Sequence, residues 1–262
     1  LKPLFVVPTT SGTGSETTAI AVISDTEKGV KLPFVSYFLM PNAAVLDSRM
    51  TLTLPPHITA MTGMDALTHA VEAFTCLAHN PISDAYANGA IKKIADNLLN
   101  VLDNPTDADG RLELAQASTM AGVAFSNAMV GLVHALGHSL GAVCHLPHGL
   151  CMNLFLPYAL EFNKDKNGDR IAELLLPLAG ADVYAATPVA QRADRAIAEI
   201  RRMRDEIFNR CKLPRTLQET GKVTREQLAQ IADLTLDDGA IIINPKEADR
   251  DEIMAILEKA WG

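Results

Sequence analysis

The stretch LVHALGHSLGAVCHLPHG, from Leu132 to Gly149, holds four of the chain's seven histidines in an otherwise almost wholly apolar segment. A buried imidazole needs a hydrogen-bond partner or a ligand, because an unpaired polar group in an apolar interior costs free energy. Residues four apart share one face of a helix, so His134 and His138 should project in the same direction. The segment therefore predicts one long buried helix whose histidines face a common site.

A second pair with the same spacing occurs in GMDALTHAVEAF, where Asp65 and His69 lie four residues apart in an apolar helical pattern. A carboxylate in such surroundings needs a cation or a donor to offset its desolvation. His148 follows Pro147, where the chain must leave the helix and can turn back toward it. One carboxylate and three imidazoles suit Zn²⁺ or Fe²⁺, whereas Mg²⁺ and Ca²⁺ prefer oxygen. We therefore predict a metal site with four ligands: Asp65, His69, His134 and His148.

Two alternative roles for the histidines stay open. In one, some of them are ordinary core residues that donate to backbone carbonyls. In the second, the segment CHLPHGLC forms a thiolate zinc site from Cys144, His145, His148 and Cys151. The thiolate site is the weaker hypothesis, because it leaves the other three proposed ligands buried without a role. The remaining histidines are predicted to lie at the surface or at helix ends: His57, His79 and His145.

Composition limits the possible partners. The 262 residues carry a net charge of −8, which argues against nucleic acid or an anionic membrane, since both favour clustered Lys and Arg. Four scattered cysteines with no secretory pattern favour reduced thiols in a cytoplasm. The apolar run MAGVAFSNAMVGLVHALGHSLGAV is long enough to cross a bilayer, but its two histidines would be costly in lipid. We expect a cytoplasmic protein that binds neither nucleic acid nor membrane.

The apolar pattern changes after about the first fifty residues. Three short β-branched runs, PLFVVPTT, TAIAVISD and NAAVLDSR, predict strands separated by Gly and Pro. Helical spacing then begins at Pro56, a residue well suited to open a helix, and continues to the end of the chain. We predict an α/β segment over residues 1–54 and an all-helical domain over residues 55–262. Further helices are predicted over 81–102, 110–143, 169–179, 187–210, 224–234 and 249–261.

A loop rich in small polar residues follows the first predicted strand. In VVPTTSGTGSETT, Gly12 and Gly14 let the backbone approach a bulky ligand, and the threonine hydroxyls can donate to phosphate or ribose oxygens. Such loops are usually plain turns, so this one is by itself a weak nucleotide-binding signal. Lys31 can add a counter-charge, although a lysine at such a position is more often simply exposed.

Three segments, PTTSGTGSETT, GMDALTHAVEAF and VHALGHSLGAVCHLPHG, resemble the signature segments of the iron-containing (group III) alcohol dehydrogenases. The later segments CKLPRTLQETG and IIINPKEADRDEIMAILEKAW resemble that family's C-terminal region, so the resemblance covers the whole chain. It implies a multi-domain fold, α/β plus all-α, of dehydroquinate-synthase-like architecture. In this fold a partial Rossmann-like dinucleotide-binding segment precedes a helical metal-binding catalytic domain.

The resemblance also implies an activity and roles for individual residues. It implies an alcohol dehydrogenase or aldehyde reductase that uses Fe²⁺ or Zn²⁺ with NAD(H) or NADP(H), acts on a short-chain alcohol and forms a dimer or larger homo-oligomer. By position, the four predicted ligands hold the metal, and His138 lies beside the nicotinamide and the substrate. Ile20 and Phe125 are expected to line the alcohol pocket. The dinucleotide side of the cleft is assigned to Thr9, Thr10, Gly12, Thr13, Thr18 and Lys31.

One departure from the family pattern is large. Family members carry a Gly-Gly-Gly-Ser loop that seats the pyrophosphate and a residue that distinguishes NAD from NADP, and the chain contains neither. We therefore expect it to lack part of the dinucleotide-binding domain, to bind metal and self-associate, and to bind NAD(H) weakly with little turnover. Two alternatives remain, a metal-dependent lyase of dehydroquinate-synthase type and a metal-binding fragment without turnover. The lyase would need Lys or Arg near the metal for a substrate phosphate, and the helices of Asp65 and His134 carry none.

Overall fold

The structure, a computed structural model, describes residues 2–25 and 30–262 of the chain. Within these ranges the N-terminal part forms short strands: β1 (Phe5–Val6), β2 (Ile20–Asp25), β3 (Val30–Val35) and β4 (Ala43–Ala44). β1 pairs in parallel with β4, and β2 pairs antiparallel with β3 from Ile20 opposite Val35 to Asp25 opposite Val30. β3 was not predicted, because Pro33 weakens its strand pattern. A proline is tolerated there because a two-stranded ladder has only edge strands.

The rest of the chain is helical, as the spacing of apolar residues predicts. Several helices begin at residues suited to that position: Pro55 and Pro56 open α1, Asp107 caps α3, and Asn80 and Asp249 form capping boxes at α2 and α10. The helices are α1 (Pro56–Thr75), α2 (Pro81–Asp103), α3 (Ala108–Ala128), α4 (Leu132–Cys144), α5 (His148–Glu173), α6 (Leu175–Ala179), α7 (Ala181–Ala186), α8 (Arg192–Cys211), α9 (Leu228–Leu236) and α10 (Arg250–Trp261).

The single long helix predicted over residues 110–143 is wrong. Helix α3 ends at Ala128, and the chain bends there, so that α3 and α4 meet at an angle of 105°. Apolar residues run through the break without a proline, so the periodicity gives no sign of it. Among the described residues no single helix is long and apolar enough to cross a membrane, and only this bent pair qualifies jointly by length and composition.

Two further helix predictions need correction. The predicted helix over residues 169–179 is in fact the end of α5 followed by α6, and most of α5 lies in a range for which no helix was predicted. Pro157 lies inside α5, and Asn167 has non-helical dihedrals within it. These two residues obscure the helical pattern in the sequence. In addition, α7 forms in a stretch predicted to be a connector.

Helix α1 lies at the centre of the helical part. Fifteen of its twenty residues are buried, and it packs against α2, α3 and α5. Buried α1 residues include charged and polar ones, namely Asp65, His69 and Glu72. Polar groups in such a helix must find partners on its neighbours, because water is excluded from them. The path of α1 therefore decides where a functional site can form.

The break between α3 and α4 generates a stability prediction. Met129 has φ 73° and ψ −168°, a backbone region open essentially only to glycine. Its side chain is 48 % exposed, so little packing is lost on its removal. Relief of a strain of about 1–3 kcal/mol outweighs the entropy cost of glycine, about 1 kcal/mol. We expect Met129→Gly to raise the melting temperature by about 2–4 °C, measured by calorimetry.

Met129→Ala is the matched control for this prediction. It removes the same side chain but keeps the Cβ atom that the backbone region disfavours, so it should give no gain in melting temperature. Equal melting temperatures for the glycine and alanine variants would contradict the assignment of strain to this residue.

Candidate metal centre

Three helices bring the four predicted ligands together. Asp65 and His69 lie one turn apart on α1, His134 lies in the first turn of α4, and His148 is the first residue of α5. Each offers one ligand atom, and these atoms all lie within 4.8 Å of one another. Asp65, His69 and His134 are buried, and His148 is half-buried. The i,i+4 spacing does create a shared face on α1, and His134 and His148 reach it from two separate helices.

A tight turn and a close helix contact bring His148 to this face. His145 ends α4 in the left-handed conformation, with φ 52° and ψ 40°, and Pro147 precedes the first turn of α5. Gly149 then packs directly on α1, because a Cβ atom at this position would lie 2.4 Å from the carbonyl oxygen of Met61. Only glycine allows so close an approach without a shift of the backbone.

Two ring nitrogens at this point are buried and have no hydrogen-bond partner: His69 Nδ1 and His134 Nε2. Asp65 Oδ1 lies 3.2 Å from His148 Nε2 and 4.0 Å from His69 Nδ1. Unpartnered buried polar atoms are rare in folded proteins, because each costs free energy. One carboxylate oxygen and three imidazole nitrogens in this arrangement fit Zn²⁺ or Fe²⁺, which such ligands favour.

The protonation states at the site also suit a cation. Burial alone would raise the pKa of Asp65, but the neighbouring His69, followed by His148 and His134, lowers that pKa to about 2. Burial lowers the pKa of His69 to about 3 and that of His134 well below its usual value. An ionised carboxylate and neutral imidazoles are the forms that bind metal ions.

Glu72 is a buried residue at the site that the sequence reasoning missed. Its Oε2 pairs with His134 Nδ1, and its Oε1 accepts a hydrogen bond of 2.7 Å from the Val133 N–H. Burial raises the pKa of Glu72 to about 7, against the opposing effect of backbone N–H groups at the start of α4. A sequence signal was present, because Glu72 lies three residues after His69 and seven after Asp65 in an apolar helix.

His138 lies at the open side of the cluster. Its side chain is 40 % exposed, and its ring lies 5.6 Å from the His134 ring and 5.4 Å from the His148 ring, centre to centre. His138 Nδ1 is 2.9 Å from Asp238 Oδ2. Burial alone would raise the pKa of Asp238, but the His138 ring lowers it below its usual value. Asp238 lies in a stretch that the sequence predicted only as a connector.

Phe125 of α3 closes another side of the site. Its ring stacks on the His69 ring with centroids 4.4 Å apart and an interplanar angle of 19°. This stacking places an apolar surface next to an imidazole that is a candidate metal ligand, and an aromatic contact of this kind holds the plane of that ring.

The rival thiolate site does not assemble. Among the described residues only one group of metal-binding side chains comes together, and it contains no cysteine. Cys144 Sγ lies 3.4 Å from Gln227 Oε1, and His145 is exposed. His57 and His79 are also exposed, as predicted.

The loop assigned to the dinucleotide packs against α1 and α3. A Cβ atom at Gly12 would lie 2.8 Å from Thr62 Cβ on α1, and one at Gly14 would lie 2.6 Å from the Cα atom of Gly122 on α3. Internal packing thus already requires both glycines. Thr9 and Thr13 are exposed, Thr10 is half-buried and Thr18 is buried, while the side chain of Lys31 lies outside the described residues. The assignment of this loop to a cofactor stays a prediction.

Family comparisons agree with this geometry. Residues 59–261 match the C-terminal model of the Fe-containing alcohol dehydrogenase family, and residues 1–48 match the model of iron-containing alcohol dehydrogenase. The chain belongs to the iron-containing alcohol dehydrogenase family. The predicted family and fold class are confirmed, and the lyase alternative gains no support from either model.

Individual relatives support the same conclusion. A sulfoacetaldehyde reductase of Bilophila wadsworthia (strain 3_1_6) is 37% identical over 257 residues, which are 98% of this chain and 65% of the relative. The crystal structure of a 1,3-propanediol oxidoreductase superimposes with a TM-score of 0.94 at 35% identity, over 100% of this chain and 66% of that one. A sulfoacetaldehyde reductase from Bifidobacterium kashiwanohense, solved in complex with NAD⁺, gives a TM-score of 0.84 at 31% identity. The match covers 98% of this chain and 64% of that chain. The chain thus spans about 65% of the length of these family members.

Gly149 provides a test of the helix contact that brings His148 to the site. The alanine methyl of Gly149→Ala would clash with the Met61 carbonyl and push the start of α5 away from α1. We expect a destabilisation of about 1–3 kcal/mol and a loss of at least about tenfold in Zn²⁺ affinity, as for other changes that move metal ligands. Chelator competition and thermal unfolding measure the two effects.

Gly168→Ala is the control in the same helix. No heavy atom lies within 4 Å of a Cβ atom at Gly168, so alanine should leave Zn²⁺ affinity unchanged and stabilise the helix slightly. Zn²⁺ affinities that are the same for both variants would show that the Gly149 contact does not position His148.

Proposed function

We propose that this chain forms the metal-binding and substrate-binding part of a metal-dependent alcohol dehydrogenase or aldehyde reductase. In this proposal hydride passes between a short-chain alcohol and NAD(H) or NADP(H). One observation carries the proposal: four ligand atoms of the type preferred by Fe²⁺ and Zn²⁺ lie within 4.8 Å of one another, and two ring nitrogens of these residues, His69 Nδ1 and His134 Nε2, are buried without a hydrogen-bond partner. Family members are named as alcohol dehydrogenases and as an aldehyde reductase, and these names support the same reaction class.

Asp65, His69, His134 and His148 would hold the metal ion. When bound, the ion supplies Lewis-acid polarisation of the substrate oxygen, and the nicotinamide supplies the hydride acceptor or donor. The chain's own contribution is to fix the four ligands on three packed helices and to keep water from three of them. With a divalent ion bound, a single carboxylate among neutral imidazoles would leave a net positive charge at the site, which would favour a substrate oxygen that is losing its proton.

His138 is proposed as the group that moves this proton. If Nδ1–H donates to Asp238, Nε2 carries a lone pair and can take the proton of the alcohol hydroxyl, directly or through water. The same nitrogen returns the proton when an aldehyde is reduced. Because His138 is 40 % exposed, the proton can then pass to solvent.

The remaining residues are assigned to a pocket for a small alcohol and to a nucleotide site beside it. Phe125, stacked on His69, and Ile20 are proposed to line the alcohol pocket. The proposed cofactor residues Thr9, Thr10, Gly12, Thr13, Thr18 and Lys31 belong to the N-terminal segment, and Gly12 packs on Thr62, one turn before Asp65. A family member solved with NAD⁺ supports a nicotinamide cofactor.

Assembly, location and domain division are also part of the proposal. Large apolar side chains of the N-terminal segment are exposed, among them Phe5, Val35, Tyr37 and Phe38. Exposed apolar patches and unpaired strand edges favour association between copies, so we propose a homo-oligomer. Four cysteines that form no disulfide favour a reducing, cytoplasmic location. We keep the division into a dinucleotide-binding part (1–54) and a catalytic part (55–262).

Removal of one ligand tests the metal centre. We expect the wild-type chain, purified without oxygen, to retain a single Fe²⁺ or Zn²⁺ ion per chain, and His148→Ala to lose stoichiometric metal because one donor is missing. Elemental analysis gives the metal content, and circular dichroism checks that the variant is folded. His145→Ala and Cys144→Ala should keep their metal. Loss of metal in these two control variants would favour the thiolate site instead.

A second experiment tests the proton-transfer role of His138. In a form extended to include a complete dinucleotide-binding domain, and with metal bound, His138→Ala should keep the ion but lower the rate of NADH oxidation by a short aldehyde by about 10²–10⁴-fold, the usual contribution of an acid–base group. The exposed His145→Ala variant serves as control. A His138 variant that loses metal as His134→Ala does would identify His138 as a ligand and contradict the proposal.

Fluorescence titration with NADH should precede the rate assay. We expect weak binding by the 262-residue chain, and ordinary micromolar affinity would show that the PTTSGTGSETT loop suffices. Absence of turnover in a metal-loaded wild-type chain that does bind NADH would favour the alternative of a metal-binding protein without catalysis.

A further inference from the structure

The first turn of α4 is capped by side chains from other parts of the chain. The helix begins after Gly131, which offers no capping side chain, so its first N–H groups need acceptors from elsewhere. Glu72 Oε1 accepts from the Val133 N–H at 2.7 Å, and Asn244 Oδ1 accepts from the Leu132 N–H at 3.3 Å. Two buried residues, from α1 and from the loop before α10, thus cap the helix that carries His134.

Glu72 does more than cap the helix, because its second oxygen meets a metal-binding imidazole. Glu72 Oε2 pairs with His134 Nδ1, while the other ring nitrogen, Nε2, is buried without a hydrogen-bond partner. His134 offers one ring nitrogen to the ligand cluster, and Nε2 is the one that Glu72 leaves free. A neutral imidazole carries its proton on one nitrogen only. If Nδ1 holds the proton and donates it to Glu72, Nε2 is left with the lone pair that a metal ion requires.

We propose that Glu72 is a positioning residue of the metal centre, which accepts the Nδ1–H of His134 and so presents the His134 Nε2 lone pair to the metal ion. The proposal rests on the metal centre proposed above. Its carboxylate holds the imidazole plane, selects the tautomer and increases the electron density of the ligand nitrogen. Glu72 also joins two ligand-bearing helices, since Asp65, His69 and Glu72 all belong to α1.

A purely structural role is the competing hypothesis. In that case Glu72 only satisfies the N-terminus of α4, and its contact with His134 has no effect on metal binding. Asn244 provides the matched control, because it caps the same turn, is buried as Glu72 is, and has hydrogen bonds to Leu132, Asn163 and Lys246 but none to His134.

The variant Glu72→Gln separates the two roles with little change in size. Its amide oxygen can still accept from the Val133 N–H, but its NH₂ group then faces His134 Nδ1 and donates to it. The proton of the imidazole is thereby moved to Nε2, the nitrogen that should bind the metal. We expect Glu72→Gln to lose about 10–100-fold in Co²⁺ affinity and to change the visible absorption spectrum of the Co²⁺ complex, measured by titration and chelator competition.

Asn244→Ala should lower the melting temperature but leave both the Co²⁺ affinity and the spectrum as in the wild type. Wild-type affinity and spectrum in Glu72→Gln would overturn the proposal. Equal losses of affinity in Glu72→Gln and Asn244→Ala would overturn it as well, because a common packing defect would then account for both.

A metal-free measurement keeps this inference separate from the proposed function. In the apo chain, long-range ¹H–¹⁵N NMR spectra of histidine distinguish the two neutral tautomers. We expect the Nδ1–H tautomer for His134 in the wild type and in Asn244→Ala, and the Nε2–H tautomer in Glu72→Gln. An Nε2–H tautomer of His134 in the wild type would contradict the inference even if the chain binds metal. If His134 of the wild-type chain is the Nδ1–H tautomer but the chain fails to bind Co²⁺, the pairing of Glu72 with His134 is correct and the proposed metal centre is contradicted.

Discussion

The burial of one carboxylate in the middle of α1 determines the arrangement around it. Asp65 is ionised inside a helix that is surrounded by others, and an ionised carboxylate without compensation costs several kcal/mol. Compensation must come from groups on neighbouring helices, because α1 itself offers only His69. The first turn of α4 supplies His134, and the first residue of α5 supplies His148. The bend after α3, the turn at His145 and the packing of Gly149 all serve this convergence.

Local patterns in the sequence were sufficient to select the candidate ligands. Asp65 and His69 share a helical face, and His148 follows a proline that must end one helix and open the next. These relations span four residues or fewer, so backbone geometry alone predicts them. The predicted metal type also follows from residue chemistry, since three imidazoles and one carboxylate favour Zn²⁺ or Fe²⁺ over hard cations such as Mg²⁺ and Ca²⁺.

Contacts between distant segments could not be predicted in the same way. Glu72 and His134 meet across 62 positions, and His138 and Asp238 across 100. The bend after Ala128 depends on an unusual backbone conformation at Met129, a residue whose type gives no signal for it. The glycines of PTTSGTGSETT illustrate the opposite problem. They suggested a ligand, but close packing of Gly12 on α1 and of Gly14 on α3 already accounts for them.

The spacing of the ligands along the chain also has a consequence for folding. A bound ion would tie position 65 to position 148, and so close a long loop in the way that a disulfide does. Closing a loop of this size with a permanent cross-link lowers the conformational entropy of the unfolded chain, which stabilises the fold by about 4.5 kcal/mol in chain-entropy models. The four cysteines of this protein form no disulfide, so no covalent bridge closes this loop. A metal cross-link is reversible, so its contribution to the stability of the folded chain would rise with the concentration of free metal.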